Sequence, residues 1–387
     1  MAGVNVTVKP EIISWILQRI PLETATEAVF ELLKKWQAGE KTPTFNQVEE
    51  VSKKTNIPFG YFFLDKPPIE ECPIAEYRTV NSLSMVEPSR NLLDTLDLMM
   101  DVQNWMVEYV KDNGQEVLSF VGSVDEKYSI DRIVRAVREK LTLKVNWFAE
   151  CENAVSAYKY LKNHIEMIGI LVMTNSIVGN NTRRKLNVEE FRAFTLVNPY
   201  VPLIFINTCD SNTGKIFSLL HELTHVWLGV DSFYNTQMGV EFSEQKIEQV
   251  CNAVAAELLV PNQLFLAQWD DSFDILIDQV EKIAKFFRCS RYVIARKAFD
   301  HHKITKSEYD SIVSFLIKQN REWREKKKET KGGDFYRTVG SRLDRRFVLA
   351  LANSAKEGKT SYTEVYRLTN TNRKTFATLL DKIGGAE

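Results

Sequence analysis

The sequence predicts an α+β fold that is mostly helical around one small β-sheet, and three observations predict it. Apolar residues recur at helical spacing through most of the 387 residues. Runs rich in β-branched and aromatic residues are confined to IGILVM (168–173), AFTLV (193–197) and PLIFIN (202–207). A polar motif on an otherwise apolar helix, HELTH at 221–225, follows the last of these runs.

The length exceeds one ordinary domain. Three are expected: a small helical module at 1–66, a helical connector with the sheet and the HELTH helix at 67–320, and a basic helical domain at 321–387. The 50 Lys and Arg against 51 Asp and Glu exclude a globally basic nucleic-acid binder. No apolar run approaches the roughly 18 residues that span a bilayer, so no membrane is expected as a partner. The first residues show no basic stretch followed by an apolar one and a small-residue cleavage site, and the five cysteines are scattered without a CxxC pair. Free thiols and a cytoplasmic location are therefore expected. No internal repeat or low-complexity tract is present.

Taken in order, Pro10 can open a helix carrying Ile12, Ile13, Ile16, Leu17 and Ile20, which Pro21 stops. A second helix carries Ala28, Leu32, Leu33 and Trp36, and a third, from about Phe45 to Lys54, turns Val48 and Val51 inward. From 92 to about 161 the pattern is helical, with Leu96, Met99, Trp105 and Val110 in one segment and Ile130, Ile133, Val134 and Val137 in another. PLIFIN is apolar on successive positions, which suggests a strand covered on both faces. The HELTH helix is expected from about Asn212 to a Gly229 stop, and the next from about Ser243 to Leu259, ended by Pro261. The last 67 residues hold sixteen basic and nine acidic side chains. Within them, SYTEVYRLTNTNRKTFATLLDKIG reads as two helices around a turn. It is either a helix-turn-helix that touches DNA or a packed helical cap with a solvated basic face.

The chemistry lies in LLHELTHVWLG. His221 and His225 are four residues apart, so both imidazoles project from one helix face and can reach a single ion, while Glu222 stands about 100° round the helix. Zinc suits this pattern because it accepts three protein ligands and keeps one position open. With 5 His and 33 Glu in the chain, a chance HExxH match is expected in roughly half a percent of sequences of this composition. A metal site on a helix directly after a buried strand is the arrangement of zincin metallopeptidases, with Glu222 as the base that activates water.

The third ligand must come from outside the motif, and the following helix offers Glu244, Glu248 and Glu257. Glu248 is the first choice and Glu257 the second. Asn252, one turn beyond Glu248, either accepts the free N–H of a ligating histidine or faces solvent. Cys251 is expected to be a buried thiol and not a ligand. Tyr234, Tyr292, His301 and His302 are candidates to stabilise the oxyanion. The AFTLV or IGILVM strand is the expected edge for an extended peptide.

HELTHVWLG, followed by IEQVCNAVAAELLVP and preceded by FINTCDSNTGKIF, resembles the ImmA/IrrE family of zinc metallopeptidases, as do EYRTV near Glu76 and the C-terminal GGDFYRTVGSRLDRRF. The resemblance implies a gluzincin-like Zn2+ site formed by His221, His225 and Glu248, with Glu222 as base. It also implies a helix-turn-helix repressor as substrate, cleaved to relieve repression in a stress, phage or mobile-element response. Two alternatives use the same residues: the toxin of a toxin–antitoxin or phage-defence pair, and a zinc-containing DNA-binding regulator without peptidase activity. WQAGEKTPT through YFFLDKPP resembles an Xre-type helix-turn-helix module. The stretch from Leu22 to Trp36 is about one helical turn short for that module. Residues 1–66 balance eight basic against eight acidic side chains, so this module is expected to dock protein and not to read DNA.

Overall fold

The computed structural model describes residues 4–20, 27–70, 88–234, 246–273, 275–327 and 342–384. Cys72, EYRTV (76–80) and Glu244 lie outside them. The chain divides into two compact units, one reaching Pro73 and including Asn81–Asp94, the other including Thr95–Glu387.

In the first unit, α1 (Pro10–Arg19), α2 (Glu27–Gln37) and α3 (Phe45–Thr55) enclose a core of Ile12, Ile16, Leu33, Trp36, Val48, Val51 and Phe62. Thr44 starts α3 with a reciprocal cap, accepting from Gln47 N while its own N–H donates to the Gln47 side chain. On α2 the inward face is Val29, Leu33 and Trp36, whereas Ala28, expected inside, is exposed. Large side chains at i, i+4 and i+7 outcompete a methyl group for the core. The carboxylate of Glu70 binds Arg19 at 3.0 Å and Arg90 at 2.6 Å, closing the unit. Residues 21–26, on which the Xre-type comparison turns, lie outside the described ones.

The second unit is α+β, mostly helical with a small sheet. After α4 (Arg90–Asp112), α5 (Ile130–Leu141) and α6 (Ala154–Met167), the chain enters β1 (Leu171–Asn175), β2 (Ala193–Leu196) and β3 (Leu203–Asn207). A short β4 (Ser232–Tyr234) completes the order β1-β3-β2-β4, with β1 parallel to β3 and β2 antiparallel to both β3 and β4. Every residue of β3 is buried, as its unbroken apolar run requires. AFTLV is therefore not an edge: β2 is paired on both sides, and β1 and β4 are the outer strands of the described sheet.

α7 (Asn212–Leu228) leaves β3 after a short turn. Ser211 caps it by accepting from Gly214 N at 3.0 Å, and Gly229 ends it at φ 72°. A side chain at Gly229 would also come within 2.9 Å of Gly122 Cα, so the position excludes other residues twice over. From Ser218 to Trp227 every residue of α7 is buried, where the helix packs between the sheet and α8 (Lys246–Leu259). Then follow α9 (Asn262–Gln268), α10 (Leu276–Phe286), α11 (Arg291–Asp300) and α12 (Lys306–Lys327), and at the C-terminus α13 (Arg345–Lys356), α14 (Tyr362–Thr369) and α15 (Arg373–Gly384). Cys151, Cys209, Cys251 and Cys289 are free thiols.

Among the described residues no single helix is long and apolar enough to cross a membrane. The bent pair α8 and α9 comes nearest in composition, but its Val254, Leu258 and Phe265 are fully buried in the core of the unit.

Candidate metal centre

α7 delivers His221 and His225 to the face that meets α8, and α8 answers with Glu248 one turn before Asn252. The two Nε2 atoms are 3.2 Å apart. Glu248 straddles them, Oε2 lying 3.2 Å from His221 Nε2 and Oε1 3.0 Å from His225 Nε2. Among the described residues this is the one group of three His, Cys, Asp or Glu side chains close enough to share an ion.

The donor set fits zinc. Ligands about 2.0–2.1 Å from a tetrahedral ion are separated by about 3.3 Å, and the distances here fall just short of that value, as expected for donors that close on one another. Asn252 Oδ1 lies 3.1 Å from His221 Nδ1 and so accepts that N–H, leaving the Nε2 lone pair toward the shared point. Without a cation the charges settle among themselves. Burial resists charging His225, but the neighbouring Cys251, Glu248 and Glu222 hold its imidazole well above the ordinary range. Burial likewise resists ionising Glu248, and hydrogen bonds from the two imidazoles hold its carboxyl well below the usual value. Burial pushes the Cys251 thiol up, and the His225 imidazole beside it partly opposes the shift.

Glu222 is fully buried, and the sheet holds it. Thr195 of β2 donates to Oε2 at 2.5 Å, and Ser232 of β4 donates to the same oxygen. Thr195 and Ser232 face each other across the β2–β4 ladder, so one cross-strand pair grips one carboxylate oxygen. The other oxygen, Oε1, is buried without a hydrogen-bond partner among the described residues. An unpaired buried carboxylate oxygen is costly unless something beyond the described residues, such as a water or a substrate group, completes it.

Sequence reasoning missed Thr195 and Ser232. The signal for Thr195 was present, since a hydroxyl in a strand buried on both faces needs a partner. Ser232 could be found only from the sheet order.

Glu257 is not brought to the centre. Nine residues beyond Glu248 it stands on the opposite face of α8, where it accepts from Lys297 Nζ at 2.6 Å and Asn262 N at 3.0 Å. His301, offered for the oxyanion, is bound instead to Asn262 Oδ1 at 2.8 Å in that same cluster. His302 is exposed, Tyr292 packs against the core, and the Tyr234 side chain lies outside what is described.

Residues 343–382 match a domain of unknown function, DUF8813. No curated protein and no solved structure matches the chain. Residues 165–299, from the end of α6 through α11 and so including the sheet, the HELTH helix and the Glu248 helix, match the family model described as the IrrE N-terminal-like domain, Peptidase_M78, a likeness that suggests a metallopeptidase.

Proposed function

We propose that the chain is a zinc-dependent endopeptidase in which His221, His225 and Glu248 hold the ion, Asn252 fixes the His221 tautomer and Glu222 is the general base. The observation that carries this reading is the meeting of three donors at zinc-like separations while Glu222 keeps one buried oxygen without a partner among the described residues. A zinc ion held there would supply Lewis acidity to the attacking water and the scissile carbonyl. Glu222 takes the proton of that water on Oε1 and passes it to the leaving amine nitrogen. Thr195 and Ser232 keep Oε2 in place, so the carboxylate does not swing between the two transfers.

The substrate class comes from the family likeness: a helix-turn-helix repressor or antitoxin of Xre type, cut in a flexible linker in the cytoplasm. β4 is the outer strand of the described sheet on the side of the Glu222 clamp and supplies Ser232 to it, so the linker adds to its edge as an extended strand. β1 lies at the other end of the sheet, separated by β3 from the strand that carries Thr195.

The test incubates zinc-loaded protein with a purified Xre-type helix-turn-helix repressor and reads fragments by mass. Cleavage is expected to fall about 10²-fold or more with Glu222→Gln while zinc content is unchanged. Equal cleavage by Glu222→Gln and the parent protein sinks the assignment of the base.

A further inference from the structure

The three C-terminal helices show what the basic end of the chain is built to present. Ser361 caps α14 by accepting from Glu364 N at 3.2 Å, Asn370 ends it at φ 51°, and Asn372 starts α15 by accepting from Thr375 N at 2.9 Å. The connection is therefore three residues, 370–372, the length that joins the two helices of a helix-turn-helix. Phe347, Leu351, Val365, Leu368, Phe376 and Leu379 are buried beneath. With Thr375, Phe376 and Leu379 committed inward, the 3.6-residue period turns Arg373, Lys374, Ala377 and Asp381 outward, and all four are exposed.

The charges on that face are placed against the helix's own field. Arg373 and Lys374 occupy the first turn of α15, where the backbone is partially positive, and no acidic residue joins them there. Neither has an ion-pair partner among the described residues, whereas Arg367 binds Asp101, Arg346 leans on Asp344 and Lys359 binds Glu357. Two free cations at a positive helix end are destabilising unless an anion arrives from outside. Residues 342–384 as a whole carry nine basic and four acidic side chains.

We propose that α13–α15 form a docking unit for duplex DNA, with the exposed face of α15 entering the major groove. An α-helix about 10–12 Å across fits the B-form major groove, about 12 Å wide, and does not fit the deep, narrow groove of an RNA duplex. Ala377 leaves the centre of the face low enough for close approach. Asn372 and Thr378 flank it with short hydrogen-bonding groups. Ser361, Tyr362 and Thr363, exposed at the start of α14, stand where the first helix of such a pair meets phosphates. No large apolar side chain of α15 is exposed, so the face lacks the anchors that a protein groove requires. The proposal is independent of the peptidase reading.

The full-length protein is titrated into a labelled mixed-sequence DNA duplex of about 30 base pairs, from about 50 to 200 mM potassium chloride, with anisotropy as the readout. Binding is expected to weaken linearly with the logarithm of salt. Arg373→Gln with Lys374→Gln should weaken it roughly tenfold or more and make the slope shallower by about 2. Ala377→Glu, on an exposed site that leaves the fold alone, should produce a comparable loss, and far-ultraviolet circular dichroism confirms that both variants are folded. Glu222→Gln placed in every protein should change none of these affinities, which separates DNA docking from peptidolysis. Absence of binding, unchanged binding by the Arg373/Lys374 variant, or equal binding to duplex RNA or to polyglutamate overturns the proposal.

Discussion

Two partly buried glutamates in the second unit are shifted in opposite directions, and their neighbours explain why. Glu248, between two imidazoles, is driven well below the ordinary carboxyl range although burial pushes the other way. Glu166, near the end of α6, is raised to about 7 by burial and by Asp344, with Lys162 at 3.4 Å only partly opposing. The first environment is a pocket of converging donors with, among the described residues, no Lys or Arg in contact to complete it. The second is a closed junction where the C-terminal helices reach the start of β1: Asp344 caps α13, and Arg346 donates to Ile170 O at 2.8 Å. Burial alone therefore does not mark a site. Donors that converge on a point the chain itself leaves unfilled do.

The largest effect is expected from removing the acid that holds the two imidazoles. Glu248→Gln should weaken zinc binding roughly a thousandfold, read by competition with a chromogenic chelator. In the metal-free parent, the raised His225 contributes stability that is full below its unfolded value of 6.5 and lost as pH rises through its folded one. The depressed Glu248 contributes stability that is present above 4.5 and lost as pH falls through its own folded value. Zinc must displace the His225 proton, so zinc affinity should climb by about tenfold per pH unit until that proton is gone. The stabilisation that zinc gives in a melting experiment should widen with pH accordingly. A zinc affinity independent of pH between 6 and 8 would contradict the charge arrangement described for the metal-free site.

Smaller losses are expected one layer out. Asn252→Ala removes the acceptor of His221 Nδ1–H and should cost about 10- to 100-fold in zinc affinity, with the ligand set intact. Thr195→Val and Ser232→Ala free the Glu222 carboxylate without touching a ligand, so turnover should fall about tenfold for each while KM and zinc content stay unchanged. An effect of either variant on zinc affinity instead of turnover would move that pair from the base to the metal.

The same layering explains what the sequence revealed. His221, Glu222 and His225 were legible because one helix carries them at fixed spacing, and Glu248 with Asn252 because a four-residue interval again defines one face. The three long strands showed in composition. β4 did not, since Ser232–Tyr234 is three residues long and owes its strand character to pairing with β2. The Thr195–Ser232 grip followed it out of reach, being a product of sheet order and not of local pattern. His301 failed for a similar reason: nothing near it in sequence announces Asn262, 39 residues away, as its partner.

The smallest effect separates the junction from the metal centre. Because the folded-state value of Glu166 is raised to about 7 from an ordinary 4.5, the folded chain holds that proton more tightly than the unfolded one. The resulting stability is full below about pH 4.5 and lost as pH rises through about 7, with an upper bound of about 3 kcal/mol. Glu166→Gln keeps the shape of the neutral acid and cannot ionise. It should leave the melting temperature near pH 5 almost unchanged and raise it by a few degrees at pH 8. Asp344→Asn, which preserves a capping side chain for α13 while removing the charge that raises Glu166, should give part of the same gain. Zinc content should be unaltered in both variants, because neither residue belongs to the donor set. An identical pH dependence of melting in the parent and in Glu166→Gln would mean that the junction tolerates an ionised carboxylate, and the contrast with Glu248 would then rest on the arriving cation alone.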